Sequence, residues 1–172
     1  ILFVGDRNNY KNFKSFLKSY SNSKILKKNF NIICFGGEKL SEDEKKFIYE
    51  QKINIDNITF LTGNDKKLNY LYKKASLYVC PSLYEGFGLT ILEAMNMDCP
   101  IIASKTSSLI EIGNDKIEYF NPESAEDMQF KIEKFIFDTG KTKKMISEYP
   151  KNLKNFTWEK TAFLTEKVYE QL

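Results

Sequence analysis

The chain has 172 residues, of which 42% are hydrophobic and 28% charged, and its 26 basic and 23 acidic side chains give a net charge of +3. This length fits one domain with a sizeable core, and the composition is typical of a soluble globular protein rather than a disordered one. The scattered lysines disfavour a nucleic-acid-binding surface, no apolar run approaches the roughly 18 residues of a membrane span, and the lack of histidine excludes histidine-based catalysis and metal ligation.

Short apolar runs alternate along the chain with segments of helical periodicity. The runs predict six strands, at Ile1–Val4, Asn31–Phe35, Ile58–Leu61, Leu77–Cys80, Pro100–Ala103 and Ile117–Phe120. Between strands, apolar residues from Phe13 to Tyr20 and from Leu68 to Ala75 recur at i, i+3, i+4 and i+7, which predicts buried helix faces. Ser41 and Glu44 match a capping box that opens a helix to about Gln51.

Beyond the sixth strand only helices are predicted. One opens at Pro122–Ser124, a shorter one ends near Tyr149–Pro150 because proline stops a helix, and Thr157 caps the last. Strands that alternate with helices through short connections predict an α/β, Rossmann-like fold. We expect a doubly wound parallel sheet of about six strands with helices on both faces and C-terminal helices added. Because a core strand opens the chain at Ile1, we expect a domain cut from a longer polypeptide.

Two compositional features concern individual side chains. The cysteines Cys34, Cys80 and Cys99 lie in or beside apolar segments without zinc-site spacing, so we expect buried, reduced thiols in a cytoplasmic protein. Arg7 is the one arginine among the 26 basic residues. Chance in a lysine-biased chain and a site that needs a forked donor explain it equally well.

Sheets of this kind bind ligands at the carboxyl ends of their strands, where four loops (5–11, 36–39, 62–65 and 81–88) carry suggestive residues. In the last loop Glu85 precedes a Gly-x-Gly turn, and Glu93 follows it in the next helix. Gly86 and Gly88 leave the backbone open to a phosphate. The first helical amides, on Gly88, Leu89 and Thr90, are expected to be unpaired donors.

Glu93 has two interpretations. Helical side chains slant toward the N-terminus, so its carboxylate reaches the same mouth, where it suits paired ribose hydroxyls. Thr90 and Glu93 also match a capping box, in which Glu93 would satisfy amides of its own helix. Taken singly, Glu93 fits the cap better. The whole segment, with two glycines and Glu85, favours a ligand that carries both phosphates and hydroxyls, such as a sugar nucleotide.

Arg7 and Lys11 lie four residues apart in the loop after the first strand. Together they would neutralise a diphosphate, whereas solvation at the surface is the alternative for each. Competing nucleotide motifs are absent: the chain has no P-loop, and the loop after the first strand lacks the Gly-x-Gly-x-x-Gly pattern. A dehydrogenase or a P-loop NTPase is therefore disfavoured.

The segment Pro81–Leu89 followed by Leu92–Met95 resembles the Glu-x7-Glu signature of retaining GT-B glycosyltransferases of family 4, the glycosyl transferases group 1. Three further regions of the chain also resemble segments of that family: Phe3–Gly5 with Tyr10–Asn12, Cys99–Ser104 with Glu111–Gly113, and Phe156–Lys160. The resemblance covers essentially the whole chain. It implies one half of a GT-B fold: residues 1–172 would be the nucleotide-sugar (donor) binding domain, and the N-terminal acceptor domain is absent from this chain.

The resemblance also implies residue roles. Glu85 would contact the transferred sugar, and Lys11 and Arg7 would stabilise the departing diphosphate. The donor would be bound by Glu93 at its ribose hydroxyls, by Gly86, Phe87, Gly88, Leu89 and Thr90 at its phosphates and sugar, and by Gly37, Leu61 and Thr62 at its base. No metal and no other cofactor are expected. Many relatives space the two cations by five residues and have arginine where Asp6 stands here.

The implied activity is that of a retaining hexosyltransferase in surface polysaccharide or glycolipid synthesis, and the isolated domain is expected to be inactive. A sugar, lipid-linked or protein acceptor would bind through the missing domain. No nucleic-acid partner is expected, and membrane contact would occur only through the full-length protein, at the cytoplasmic face. The alternatives are a non-catalytic sugar-nucleotide-binding module of the same fold and a binder of nucleic acid or an acidic partner through the lysine surface, which the lack of lysine clustering disfavours.

Overall fold

The computed structural model describes residues 1–7 and 9–171. Within them the chain forms six strands: β1 (Leu2–Val4), β2 (Ile32–Phe35), β3 (Ile58–Leu61), β4 (Tyr78–Cys80), β5 (Ile101–Ser104) and β6 (Glu118–Phe120). They form one sheet in the order β3-β2-β1-β4-β5-β6, and all neighbours are parallel. The predicted strands are therefore confirmed, with bounds that agree to within one residue.

Helices connect the strands and follow the last one. They are α1 (Phe13–Asn22), α2 (Lys24–Asn29), α3 (Glu42–Glu50), α4 (Asp65–Lys74), α5 (Leu89–Asn96), α6 (Ser107–Gly113), α7 (Ala125–Ile136), α8 (Thr139–Leu153) and α9 (Trp158–Tyr169), with short 3-10 turns at Asn9–Lys11, Ile55–Asn57 and Asn114–Lys116. The predicted capping box of α3 is confirmed, because the amide of Glu44 donates to Ser41 Oγ and the amide of Ser41 donates to Glu44 Oε2.

The core lies on both faces of the sheet. Helix α1 packs against α7, and α5 packs against α4, α6 and α8, so each face has its own helical layer, as predicted. The aromatic rings of Phe3 on β1 and of Phe13 and Phe16 on α1 cluster between the strand and the helix, with centroids 5.0 to 6.5 Å apart. All three cysteines are buried and free of disulfides, and burial raises the pKa of Cys34 and of Cys99 to about 12.

The predicted helix end at Tyr149–Pro150 is wrong. Helix α8 continues through Pro150 to Leu153. Buried side chains on either side of the proline hold this last turn in place: the Tyr149 hydroxyl donates to the carbonyl of Cys99 at 3.1 Å, and Asn152 Nδ2 donates to the carbonyl of Ile112 at 2.9 Å. Tertiary contacts here outweigh the backbone hydrogen bond that proline removes.

Helix α9 is exposed along its whole length. Thr157 caps it as predicted, accepting from the amide of Lys160 at 3.2 Å. None of its residues is buried, and Trp158 is 85% exposed. Just before α9, the ring of Phe156 packs nearly perpendicular to that of Phe87, with centroids 6.2 Å apart. The core therefore ends with α8, and α9 contributes little to the stability of the sheet.

Candidate functional site

The candidate site lies where the direction of the sheet reverses. The chain runs from β1 to β2 and β3 on one side and resumes at β4 on the other, so β1 and β4 are neighbours. Ligands bind in α/β sheets at such a switch point, beyond the carboxyl ends of the strands. The two loops that flank it touch, because the amide of Leu83 donates to the carbonyl of Tyr10 at 2.7 Å.

An ion pair bridges these two loops. Lys11 Nζ donates to Glu85 Oε1 at 2.6 Å, and each of the two side chains is 14% exposed. Burial alone would lower the pKa of Lys11, but the hydrogen bond and the charge of Glu85 outweigh it and raise that pKa. The ammonium group therefore stays charged, and it lies between the two loops beyond the carboxyl ends of β1 and β4, the region where such sheets form their crevice.

Two hydroxyl groups fix Glu85. Ser82 Oγ donates to Glu85 Oε1 at 2.7 Å, and Ser108 Oγ donates to the main-chain carbonyl of Glu85 at 2.6 Å. Oε1 thus accepts from both Ser82 and Lys11. Among the residues that the structure describes, Oε2 accepts no hydrogen bond. One carboxylate oxygen is anchored, and the other is available to a hydroxyl group of a ligand.

The glycine turn leads directly into α5. Gly88 is the N-cap of this helix, with a left-handed φ of 105°, and a Cβ there would lie 3.1 Å from Leu109 Cδ2. At Gly86, by contrast, a Cβ would meet no atom within 4 Å. The amides of Leu89 and Thr90 find no acceptor in the described part of the chain. They are donors at the positive end of the helix dipole, as predicted.

Glu93 does not cap its helix. Because α5 begins at Leu89, Glu93 lies in the second turn, beyond the position of a capping-box glutamate. The capping interpretation is therefore wrong. Its carboxylate is exposed and instead accepts a hydrogen bond from the Tyr72 hydroxyl, which lies 3.2 Å from Oε2.

Arg7 contacts α3 and the loop after β2. Its Nε donates to Glu44 Oε1 at 2.6 Å, its Nη2 to the carbonyl of Glu38 at 2.6 Å and its Nη1 to the carbonyl of Gly36 at 3.3 Å. The side chain is 5% exposed, so its interpretation as a solvated surface group is wrong. Burial raises the pKa of Glu44, but the hydrogen bonds from Arg7 and Ser41 outweigh it and leave that pKa lowered.

The structure thus separates the two cations that the sequence analysis grouped. Lys11 meets Glu85 in the crevice, whereas the guanidinium group of Arg7 lies among acceptors of the protein itself, 5.2 Å from the ring of Phe60. It does not bring Arg7 to the ion pair. A contact between Arg7 and a diphosphate stays a prediction that this geometry does not favour.

Three further residues assigned to donor binding lie on the β2–β3 side of the same edge. Gly37 is beside Arg7, and a Cβ there would lie 2.8 Å from Arg7 Nη1. The carbonyl of Leu61 accepts from the amide of Gly36 at 2.9 Å, and the carbonyl of Thr62 accepts from Lys67 Nζ at 2.9 Å. Within the described residues none of the three contacts Glu85 or Glu93, so their assignment stays a prediction.

The sequence analysis missed the hydroxyl groups that hold the two glutamates: Ser82, Ser108 and Tyr72. Tyr72 gave a usable signal, since it lies on the apolar face of α4 and a buried tyrosine hydroxyl needs a partner. The two serines carry no such signal, because neither spacing nor hydropathy distinguishes them from other polar loop residues.

Within residues 1–7 and 9–171, no group of three histidine, cysteine, aspartate or glutamate side chains could share a metal ion. Over the same residues, every helix is too short or too polar to cross a membrane.

The model of the family described as glycosyl transferases group 1 matches residues 1–152, which include all six strands. The chain belongs to this family. The match covers the crevice, Lys11, Glu85 and Glu93, and ends before α9.

Three known proteins are similar along 99% of this chain. The O-antigen chain mannosyltransferase B of Escherichia coli is 28% identical over 173 residues, covering 99% of this chain and 45% of its own length. The glycosyltransferase of Rickettsia africae superposes with a TM-score of 0.82 at 20% identity, covering 99% of this chain and 47% of that one. Anabaena Alr3699/HepE, solved in complex with UDP, gives 0.81 at 17% identity over 99% and 49%.

These likenesses establish the fold. The parallel sheet with a helical layer on each face is one Rossmann-like half of a GT-B glycosyltransferase. The chain spans about half the length of the relatives it matches.

Proposed function

We propose that residues 1–172 are the donor-binding domain of a retaining glycosyltransferase and that they bind a nucleoside-diphosphate sugar. The acceptor site would lie in a further domain of the polypeptide. The observation that carries the proposal is the Lys11–Glu85 pair, which sits at the switch point beside the unpaired first amides of α5.

The cationic side of the crevice suits a leaving group. Departure of the sugar builds negative charge on the diphosphate, which fixed donors stabilise most when they are already oriented. Lys11 would supply a full positive charge, and the amides of Leu89 and Thr90 would supply the partial charge of the helix N-terminus. The space at Gly86 lets a phosphate approach this backbone.

The carboxylates suit the hydroxyl groups of the same ligand. Glu85, anchored through Oε1, would accept from the transferred sugar through Oε2. Glu93 would accept from the ribose hydroxyls. The base would lie near Gly37, Leu61 and Thr62. These groups account for sugar, diphosphate and ribose without a metal ion.

We further propose that the sugar is a hexose, transferred with retention at the anomeric carbon during synthesis of a surface polysaccharide or glycolipid. Retention is inferred from the likeness of the Glu85–Glu93 segment to retaining enzymes. The polysaccharide role is inferred from the O-antigen chain mannosyltransferase of Escherichia coli. The acceptor would be a sugar, a lipid-linked or a protein substrate. The enzyme would work in the cytoplasm or at the cytoplasmic face of a membrane.

Calorimetric titration with UDP and GDP tests the donor site. We expect weak binding of one or both nucleotides to this chain and a loss of about tenfold in Glu93→Ala, since a charged hydrogen bond is removed. Glu159→Ala, which removes an exposed glutamate on α9, is the matched control and should bind as the wild type does. Equal nucleotide affinity in the wild type and in Glu93→Ala would show that Glu93 does not bind the ribose.

A transfer assay separates an enzyme from a non-catalytic binding module. The full-length polypeptide should transfer sugar from its donor, and the configuration at the anomeric carbon of the product, read by NMR, should match that of the donor. This chain alone should bind nucleotide and transfer none. A full-length polypeptide that binds the donor tightly but never turns over would favour the binding module.

A further inference from the structure

Tyr72 connects the interior of the domain to Glu93. It lies on α4 and is fully buried, yet its hydroxyl donates to the exposed carboxylate of Glu93, 3.2 Å from Oε2. Helices α4 and α5 pack against each other, and this bond crosses their contact. Among the described residues, it is the one hydrogen bond that the Glu93 side chain accepts.

The tyrosine has little freedom to move. Its ring packs edge-on against Tyr78 of β4, with centroids 5.3 Å apart and an interplanar angle of 83°. Burial raises the pKa of Tyr72, and the charge of Glu93 raises it further. The hydroxyl therefore stays protonated and can only donate. A rigid donor meets a side chain that would otherwise sample several rotamers.

A carboxylate with one oxygen held in place is better prepared for a ligand than a free one. Ordering a mobile glutamate on binding costs conformational entropy, and a hydrogen bond already made in the free protein removes part of that cost. The bond to Tyr72 occupies Oε2 and leaves Oε1 for the ligand. Glu85 is held in a similar way, because Ser82 Oγ donates to one of its carboxylate oxygens.

We propose that Tyr72 is a positioning residue for Glu93, which it orients toward the vicinal diol of a bound nucleotide's ribose. This inference rests on the proposed function. It assigns a role to a residue of the core that would not touch the ligand. It also predicts that Tyr72 affects nucleotide affinity only when both the Glu93 carboxylate and the ribose hydroxyls are present.

A double-mutant cycle measured by calorimetry tests it, with the wild type, Tyr72→Phe, Glu93→Ala and the double variant, each titrated with UDP and GDP. Tyr72→Phe keeps the ring and removes only the hydroxyl. It should weaken binding about three- to tenfold and lower the melting temperature by only about 2 to 4 °C. In the Glu93→Ala background, the same substitution should change nothing.

Nucleotides that lack both ribose hydroxyls provide a readout that a purely structural role would not move. Tyr72→Phe should weaken the binding of UDP or GDP and leave the affinity for the matching 2′,3′-dideoxynucleotide as it is in the wild type. Tyr20→Phe is the matched control, because Tyr20 is equally buried but donates to the carbonyl of Phe30, on another element. It should bind both ligands as the wild type does.

Three outcomes would overturn the inference. In the first, Tyr72→Phe binds as tightly as the wild type. In the second, it weakens the binding of the dideoxynucleotide as much as that of the ribonucleotide, or weakens the binding by Glu93→Ala further, which would make Tyr72 a packing residue. In the third, the wild type binds no nucleotide, which would remove the proposed function as well; the first two leave that function standing.

Discussion

Arg7 and Lys11 belong to one loop and differ in what their charges meet. Arg7 is 5% exposed and donates to Glu44, Gly36 and Glu38, so the acceptors around it come from the fold. Lys11 has Glu85 as its acceptor, beside a crevice with unpaired amides. A guanidinium group is a rigid fork that can donate to several fixed acceptors at once, whereas an ammonium group is a compact point charge on a flexible stem.

The backbone of the loop explains the separation. A 3-10 turn at Asn9–Lys11 is followed by Asn12, which has a left-handed φ of 55° and whose Nδ2 donates to the carbonyl of Pro122 at 2.9 Å. This turn carries Lys11 toward β4, while Arg7 remains toward β2. Proximity in sequence, in short, did not give these two cations the same role.

The largest expected effect concerns turnover at the Lys11 end. In the full-length polypeptide, Lys11→Ala and Glu85→Ala should each lower turnover about 10²- to 10³-fold, because under the proposed function each removes a group that would face the reacting sugar or its leaving group. Glu85→Ala should reduce nucleotide affinity much less than turnover. Lys45→Ala, which breaks an exposed ion pair, is the control. The reverse pattern for Glu85, with affinity lost and turnover kept, would contradict this division.

The next effect concerns stability at the Arg7 end. Arg7→Ala leaves Glu44 without its partner and should cost about 2 kcal/mol, less than for a fully buried pair. Its melting temperature should fall by roughly 4 to 8 °C. Lys45→Ala should stay within about 0.5 kcal/mol of the wild type. If Arg7→Ala were as stable as the wild type, Arg7 would not stabilise the fold.

The two glycines of the turn are also expected to differ, with Gly88 supporting the fold and Gly86 leaving room for a ligand. Gly88→Ala should cost about 1 to 2 kcal/mol, because its φ of 105° is strained for alanine and its Cβ would crowd Leu109. Gly86→Ala meets open space and should leave stability unchanged, while its methyl group hinders a phosphate at this backbone. Thermal melts and nucleotide titrations of the two variants would separate these effects. Comparable stability losses in both would contradict the distinction.

The smallest effects concern pH. The lowered pKa of Glu44 means that its contribution to stability is present above about pH 4.5 and is lost as the pH falls through its pKa in the folded protein. The raised pKa of Lys11 means that its contribution is present below about pH 10.5 and is lost as the pH rises through its folded value. Arg7→Ala should flatten the acid limb of a stability–pH curve and Glu85→Ala the alkaline limb. Unchanged limbs would contradict this assignment.

The sheet could be predicted from the sequence because its signals are local. Runs such as Ile58–Leu61 and the capping box of Ser41 and Glu44 depend on neighbours within a few residues. Helices α2 and α6 gave too little periodicity to be predicted, and α8 passed Pro150 because contacts distant in sequence hold its last turn.

The candidate site was predictable only in part. The candidate site was predicted from one segment, in which Glu85 and Glu93 lie on either side of the glycine turn. The contact between Arg7 and Glu44 could not be predicted, because the two residues lie 37 positions apart and the capping box already explained Glu44. Tyr72 and Ser82 act through single hydroxyl contacts, which no pattern along the chain announces.

The most direct measurement titrates a nucleoside diphosphate into Lys11→Ala and Arg7→Ala at a temperature where both are folded. We predict that Lys11→Ala binds it at least about tenfold more weakly than the wild type, since the charged contact that we propose between Lys11 and the diphosphate would be lost. Arg7→Ala should bind it as the wild type does, although it melts earlier. Tight binding by Lys11→Ala together with a large loss in Arg7→Ala would contradict the account.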